Sequence, residues 1–135
     1  MIKESMVFMY FNRSCGAALA FYQEAFGATI LEKTSYGEAE MTDKEEEKPL
    51  IMNATFHVGN MKFCANDVLD VAPVVGNNVC LWLELDDEVS LDKVFEAFKR
   101  PDCQIVTPLE DTFWNGRYAK VQDPFGMLWE LNYQR

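Results

Sequence analysis

The sequence predicts an α+β fold in which one order of elements, strand–helix–strand–strand–strand, occurs twice. Two segments with apolar residues at helical spacing each follow a short apolar strand and precede three further strands. A chain of 135 residues is long enough for one core but too short for two independent cores. We therefore predict a single domain, with module one at 1–67, a linker at 68–78 and module two at 79–135.

Module one is predicted to begin with an apolar strand, followed by a helix over 15–26 whose apolar residues recur at helical spacing. Ser14 is predicted to cap this helix, because its side-chain oxygen can accept a free backbone N–H. Gly27 follows the helix, at a position where a left-handed residue is favoured. Gly59-Asn60 predicts a hairpin turn between the last two strands. The four predicted strands of this module span residues 6–11, 29–36, 50–58 and 61–66.

Module two is predicted to repeat this order, with a helix capped by Ser90. Its last strand follows Asp123-Pro-Phe-Gly126, which predicts a tight turn because proline sets φ at the second position and glycine takes the last. The apolar stripe of the helix consists of Leu91, Val94, Phe95 and Phe98. The four predicted strands of this module span residues 79–85, 104–109, 116–122 and 127–133.

Strand alternation predicts which side chains lie beneath the helices, since successive side chains point to opposite faces. In four strands one set is uniformly apolar and is expected to face the helices: Phe8, Tyr10, Phe63, Ala65, Leu81, Leu83, Trp129 and Leu131. The opposite set is mixed: Val7, Met9, Phe11, Lys62, Cys64, Asn66, Cys80, Trp82, Glu84, Leu128, Glu130 and Asn132. A mixed face indicates a curved sheet that holds a pocket, or a face that packs on a second subunit.

Composition excludes several classes of function. The net charge of −10 argues against nucleic acid and anionic membranes as partners, because phosphates demand basic residues. No apolar run is long enough to cross a bilayer, and no secretory signal pattern is present. The four cysteines are far apart without a C-x-x-C pair, which predicts neither a zinc ribbon nor a disulfide framework. A cytoplasmic location is expected. The acidic segment 38–47 is predicted to be a solvated loop.

Glu130 is the first candidate binding residue, because a carboxylate on a largely apolar strand is costly unless it faces water, a ligand or a metal. The alternative is a rim carboxylate that is solvated or paired with a basic residue. His57, the only histidine, is either an acid or base near neutral pH or a strand residue without a role. Asn53 shares the face of His57 and is a candidate hydrogen-bonding group.

Aromatic residues near the penultimate strand are further candidates. Trp114 and Tyr118 indicate a planar or apolar ligand or a subunit contact, with core packing as the alternative. Trp82 lies on the mixed face of its strand. Cys15 would begin a helix, where the dipole lowers the pKa of a thiol, but no base is evident, so we expect it to be inert.

Four segments support a family resemblance: Tyr10-Phe11, Ala18-Leu-Ala-Phe-Tyr-Gln-Glu-Ala-Phe-Gly27, Glu110-Asp-Thr-Phe-Trp114 and Asp123-Pro-Phe-Gly-Met-Leu-Trp129. In order and spacing they resemble the vicinal oxygen chelate superfamily, which includes glyoxalases, bleomycin-resistance proteins and extradiol dioxygenases, and within it the PhnB-like branch. The resemblance implies two β-α-β-β-β modules forming a curved, cup-shaped mixed sheet with helices on the outer face, often assembled as a homodimer. Some PhnB-like proteins carry a ubiquinone-methyltransferase label, but this sequence lacks a Gly-rich turn for a nucleoside cofactor.

The resemblance also implies where a metal would bind, since family metalloenzymes place His and Glu ligands on the first and last strand of each module. Those positions fall at Val7, Cys64, Cys80 and Glu130, and only Glu130 is of the usual type. A conventional metal site is therefore not expected. Cys64, Cys80 and Glu130 remain an alternative set for a divalent metal of borderline softness, whereas buried cysteines usually act as small hydrophobes.

The leading hypothesis is a PhnB-like protein that binds a small, partly apolar molecule in a cup-shaped pocket, with no conventional metal site and no cofactor. The residues predicted to bind the ligand are Glu130, Trp114, Trp82, Asn53, His57 and Tyr118. The alternative is a metal-dependent lyase, isomerase or dioxygenase of the same superfamily that uses Glu130 with atypical ligands. A third hypothesis is a dimer whose pocket has no function.

Overall fold

A strand–helix–strand–strand–strand order occurs twice in the computed structural model, which describes all 135 residues. Two compact units result, Met1–Val74 and Val75–Arg135. The first contains β1 (Val7–Phe11), α1 (Cys15–Phe26), β2 (Thr29–Ser35), β3 (Ile51–Val58) and β4 (Met61–Asp67). The second contains β5 (Leu81–Glu84), α2 (Glu88–Glu96), β6 (Gln104–Asp111), β7 (Gly116–Gln122) and β8 (Leu128–Gln134). The predicted α+β fold class and its repeated order are confirmed.

Each unit has a four-stranded mixed sheet in which the first strand pairs in parallel with the last. The first sheet has the order β1-β4-β3-β2 and the second β5-β8-β7-β6. The remaining neighbours pair antiparallel. Because the first and last strands are parallel, residues about fifty positions apart in sequence lie side by side, as Phe8 and Cys64 do.

The first sheet packs against α1 through aromatic side chains. Tyr22 of α1 stacks on Phe56 at 5.9 Å between ring centroids, and Phe56 stacks on Phe63 at 5.1 Å. All three are fully buried. Burying side chains of this size stabilises the fold by about 1.5–3 kcal/mol each.

Strand β1 faces the opposite way from the prediction. Met9 and Phe11 are buried, whereas Phe8 and Tyr10 are 46% and 56% exposed. The register places Met9 beside buried Ala65 and Tyr10 beside Asn66. All five residues of β1 are apolar or aromatic, so their alternation gives no information about which set faces the helix. The predicted orientation of this strand is therefore wrong.

In the second sheet the predicted orientation of the last strand is confirmed. Trp129 and Leu131 of β8 are fully buried, and the register places them beside buried Val121 and Ala119 of β7. Helix α2 packs against β8. Of the predicted apolar stripe, Leu91, Phe95 and Phe98 are buried as well, whereas Val94 is partly exposed.

Both helices are capped by residues other than those predicted. The side chain of Ser14 makes no cap hydrogen bond. Instead, the buried carboxylate of Asp67 accepts the backbone N–H of Cys15 at 2.8 Å and that of Ile51 at 2.9 Å. In α2 the cap is Asp87, which accepts the N–H of Ser90 at 2.6 Å, so Ser90 lies inside the helix. A carboxylate satisfies these free donors better than a hydroxyl, because negative charge is favoured at a helix N-terminus.

The turn before β8 is confirmed and is held by its first residue. Asp123, which is buried, accepts the N–H of Phe125 at 2.9 Å and that of Met127 at 3.0 Å through Oδ1. Its Oδ2 accepts the indole N–H of Trp129 at 3.0 Å. Gly126 has φ of 93°, a conformation that favours glycine. Asp123 therefore holds the turn that precedes β8 and also fixes the orientation of the buried Trp129 ring.

The acidic segment is largely exposed, as predicted, except for its last residue, Glu47. Residues Glu45–Glu47 form a short 3-10 turn. Glu47 is buried, accepts the hydroxyl of Thr42 at 2.6 Å and lies 3.6 Å from the guanidinium of Arg13. Glu47 therefore anchors the segment in the first unit.

Neither α1 nor α2 is long and apolar enough to span a membrane. The four cysteines are all free.

Candidate functional site

The face of the second sheet that points away from α2 collects most of the candidate residues, and we call it the open face. Register pairs define it: Trp82 lies beside Glu130, and Tyr118 lies beside Asn132. Its other members on the four strands include Glu84, Glu110, Lys120, Gln122 and Leu128. These residues alternate with the core residues of the same strands, as the period of a strand requires.

Three rings form what we call the aromatic patch: Trp82, Trp114 and Tyr118. The ring of Tyr118 lies 6.0 Å from that of Trp82 and 5.9 Å from that of Trp114, between centroids. Trp82 is 44% exposed and Trp114 is 37% exposed. Because these partly exposed rings lie next to one another, they form a candidate binding surface.

A carboxylate lies at the edge of the aromatic patch. The hydroxyl of Tyr118 donates a hydrogen bond of 2.7 Å to Oε1 of Glu130. Burial of the phenol, together with this bond to a carboxylate, raises the pKa of Tyr118 well above its ordinary value. The hydroxyl therefore stays protonated at neutral pH and keeps Glu130 oriented across the sheet.

Cys80 precedes β5 and lies near Glu130. Burial and the negative charge of Glu130 raise the pKa of the Cys80 thiol above its ordinary value. The thiol is therefore protonated at neutral pH, and in that form it is a poor nucleophile and a poor metal ligand.

Two polar residues hold the indoles of the aromatic patch in place. Glu84 accepts the side-chain amide of Asn132 at 2.9 Å, the backbone N–H of Gln134 at 2.8 Å and the indole N–H of Trp82 at 3.2 Å. Asn132, which is buried, accepts the indole N–H of Trp114 at 3.3 Å. Each exposed indole is thus oriented by a hydrogen bond from its ring nitrogen.

Sequence reasoning gave Glu84 and Asn132 no role beyond their places on the mixed face. Strand register could have revealed their interaction. When β5 is paired in parallel with β8, Glu84 and Asn132 lie directly opposite each other. Polar residues that face each other across neighbouring strands commonly hydrogen-bond. The sequence analysis did not predict which strands are neighbours, so it could not place these two residues opposite each other.

The other two predicted binding residues lie in the first unit, on β3. Asn53 and His57 point away from the side that packs on α1, as Thr55 does between them. Register places His57 beside Lys62 and Thr55 beside Cys64. All of these side chains are partly exposed.

Cys64 lies on this same face and contacts neighbours within its own unit. Its sulfur lies 3.2 Å from the thioether of Met6 and 3.8 Å from the hydroxyl of Thr55. Cys15, in contrast, is fully buried, and burial together with the nearby Asp67 carboxylate raises its pKa to about 12. The Cys15 thiol is therefore protonated at neutral pH and inaccessible to reagents.

The residues at the family's metal positions do not fit the usual His and Glu set. The side chain beside Cys64 on β1 is Phe8, because Val7 pairs with Phe63 and faces the helix side. Neither Phe8 nor Val7 is a ligand. No group of three His, Cys, Asp or Glu side chains in the structure is arranged to hold a metal ion. The carboxylate of Glu130 instead accepts the hydroxyl of Tyr118.

A cleft of about 360 Å³ lies on the opposite side of the second sheet, next to α2. Its lining is Asp92, Phe95, Glu96, Lys99, Leu109 and Arg117. Arg117 lies 3.6 Å from Asp92, and Lys99 bonds Glu96 at 2.6 Å. The charges of this cleft are thus paired with one another.

Comparison with known proteins agrees with this fold. Residues 7–131 match the model of the Glyoxalase/Bleomycin resistance protein/Dioxygenase superfamily. Protein YjdN of Escherichia coli K12 is 25% identical over 135 residues, which cover 93% of this chain and 91% of that protein. Protein PA1353 from Pseudomonas aeruginosa superposes with a TM-score of 0.84 at 22% identity, covering 98% of both chains.

A PhnB protein from Bacillus cereus superposes with a TM-score of 0.77 at 20% identity, covering 97% of this chain and 99% of that one. At these identities the two structures establish the shared fold, whereas the family model matches nearly the whole chain. This chain belongs to the Glyoxalase/Bleomycin resistance protein/Dioxygenase superfamily, with PhnB-like structural neighbours.

Proposed function

We propose that this protein binds a small, partly apolar molecule against the aromatic patch, with a polar group of that molecule at Glu130 and Tyr118. In this proposal the ligand is held without a conventional metal site. The rings would cover the apolar part of the ligand, since tryptophan and tyrosine offer large, rigid contact area at a low entropic cost.

The hydrogen bond between Tyr118 and Glu130 carries the proposal. It places a charged acceptor at the edge of two exposed indoles, within one sheet. Glu84 and Asn132 already orient those indoles. Side chains that are held in place before binding lose little conformational entropy when a ligand binds. The patch is therefore preorganised for a planar ligand.

The proposal is tested with benzamide as a probe, a planar ring with one polar group. We expect saturation-transfer NMR to detect benzamide binding to the native chain and to lose it in Trp82→Ala and Trp114→Ala. Val89→Ala is the matched control, because Val89 is an exposed apolar residue on α2. Binding that survives in both tryptophan variants would contradict the proposal.

Asn53 and His57 are proposed as polar contacts for a ligand within the first unit. Both present hydrogen-bonding groups on the partly exposed side of β3. In proton NMR, acetamide is expected to shift the His57 imidazole resonances of the native chain and to shift them less in Asn53→Ala. Imidazole resonances that do not respond to acetamide would contradict this proposal.

The second candidate function is a metal-dependent lyase, isomerase or dioxygenase, and one observation favours it: Glu130 keeps the ligand type expected on the last strand. Its test is elemental analysis of protein purified without chelator and without a nickel column. Metal at one equivalent per chain, lost in Glu130→Gln, would favour the enzyme. Metal-free protein that binds benzamide would favour the binding protein.

We also propose a homodimer in the cytoplasm. Phe8 and Tyr10 of the edge strand β1 are exposed aromatic residues that a second copy would cover. Four free cysteines are consistent with a reducing compartment. Light scattering after gel filtration is expected to give twice the mass of one chain, and a monomer would contradict the dimer.

A further inference from the structure

We propose that the molecule bound at the aromatic patch is an organic cation, a flat apolar body that bears an amidinium, guanidinium or ammonium group. This inference rests on the proposed function and adds the charge of the ligand. It comes from the distribution of charge over the two sides of the second sheet.

The open face has more acidic than basic residues. Glu84, Glu110 and Glu130 lie on it. In the strand register Glu110 lies beside Tyr118, and Glu130 lies beside Trp82. Lys120 is the basic residue of this face, opposite Glu130 in the register. Three carboxylates against one ammonium leave an excess of two negative charges around the aromatic patch.

The ion pairs of the second unit all use other acids. Arg135 pairs with Glu88 at 2.8 Å and with Asp111 at 2.7 Å. Arg117 lies between Asp92 and Asp111. The remaining pairs of this unit are Lys99 with Glu96 and Arg100 with Asp102. No ion pair of the structure includes the three carboxylates of the open face.

Neutral donors orient two of these carboxylates, Glu84 and Glu130, without cancelling their charge. Glu84 is held by an amide, a backbone N–H and an indole N–H, and Glu130 by a phenol. These bonds fix the carboxylates in position before any ligand arrives. A cation therefore meets prearranged negative charge, whereas an anion would be repelled.

The exposed rings favour the same charge. The face of a tryptophan attracts a cation through its quadrupole, more strongly than other aromatic side chains do. Trp82 is held to Glu84 by its indole N–H, so a cation over this ring would also lie near a carboxylate. A neutral planar molecule would be bound by contact with the rings alone. A molecule that bears a carboxylate would be bound more weakly, because the acidic residues repel it.

The test uses three probes that share one ring and differ in charge: benzamidine, benzamide and benzoate. Binding is followed through the indole N–H resonances in two-dimensional NMR titrations of nitrogen-15-labelled protein. Trp82 and Trp114 report the patch, while Trp129, buried and bonded to Asp123, reports an intact fold. We expect benzamidine to bind roughly tenfold more tightly than benzamide, and benzoate to bind least.

Two controls show whether the preference for benzamidine comes from its charge or from its shape: a change in salt concentration and a substitution of Glu130. The preference for benzamidine is expected to fall as ionic strength rises, because exposed charges are screened. Glu130→Gln keeps an acceptor for Tyr118 and removes the charge, so it should lower benzamidine affinity severalfold and benzamide affinity by a smaller factor. Glu96→Gln, the same change of charge on α2, should alter neither.

The outcomes separate this inference from the proposed function. If benzamide or benzoate shifts the patch resonances at concentrations equal to or lower than benzamidine, the ligand is not a cation, while the patch remains a binding site. If none of the three probes at millimolar concentration shifts Trp82 or Trp114, the binding proposal fails together with this inference. An undiminished preference for benzamidine in Glu130→Gln would also overturn the cation assignment.

Discussion

Replacing Asp123 by alanine is expected to destabilise the second unit strongly. The carboxylate accepts three hydrogen bonds, from Phe125, Met127 and the indole of Trp129, at 2.9, 3.0 and 3.0 Å. Hydrogen bonds to charged groups contribute about 1.5–3 kcal/mol each, although such values do not add fully. The two turn N–H groups are partly buried and can recover water in the variant, which reduces their share of the loss.

The indole N–H of Trp129 cannot recover a partner in this way, because Trp129 is fully buried. A buried donor without an acceptor costs about 1–3 kcal/mol. We therefore expect Asp123→Ala to lower the free energy of unfolding by about 3 kcal/mol. Asp123→Asn keeps an acceptor oxygen for the turn but loses the charge, and about half of that loss is expected.

Urea unfolding followed by circular dichroism measures this effect. The control is Asp102→Ala, which removes an exposed carboxylate of the same unit that pairs with Arg100. Exposed pairs contribute little, so the control should unfold close to the native midpoint. A loss below about 1 kcal/mol in Asp123→Ala, or an equal loss in Asp102→Ala, would refute the reasoning about the buried acceptor.

Three further predictions follow from buried or hydrogen-bonded groups. Asp67→Asn should lower the free energy of unfolding by about 2 kcal/mol in urea titrations, because the N–H groups of Cys15 and Ile51 lose a charged acceptor. The Cys15 pKa is raised from 9.0 to about 12, so the folded state holds this proton where the unfolded state has lost it. This group alone should therefore lower the free energy of unfolding by about 1 kcal/mol per pH unit above pH 9, and Cys15→Ala should reduce the slope by that amount. Finally, ultraviolet titration should show the phenol of Tyr118 ionising above the ordinary range for tyrosine, and Glu130→Gln should lower its pKa.

The sequence predicted orientation well where polar and apolar residues alternate. Glu130, Asn132 and Gln134 alternate with apolar or aromatic residues along β8, so their face could be assigned before the structure was known. Strand β1 offers no such contrast, because Val7 to Phe11 are all apolar or aromatic. Its orientation is set by pairing with β4, which places Phe11 beside the buried Asp67.

The roles of two carboxylates were hidden for a different reason. Asp67 caps a helix that begins 52 residues earlier, and Glu84 orients Asn132, 48 residues later. Local capping rules consider residues a few positions apart, so they favoured Ser14 and Ser90. Contacts at such separations depend on strand order, which residue patterns do not specify.

The two sheets use the same strand pairing but present different chemistry on it. On β1 and β4 the exposed pair is Phe8 beside Cys64, whereas on β5 and β8 it is Trp82 beside Glu130. Of these residues, Cys64 and Glu130 lie where the family resemblance implies metal ligands, and only Glu130 is a carboxylate. That carboxylate accepts the hydroxyl of Tyr118 and lies beside Trp82, which supports the proposed recognition of a ligand by charge and ring contact. The two sheets thus share a strand order and differ in the side chains that they expose at these positions. Glu130→Gln, which removes the charge of the second sheet's carboxylate, tests whether that charge matters for binding.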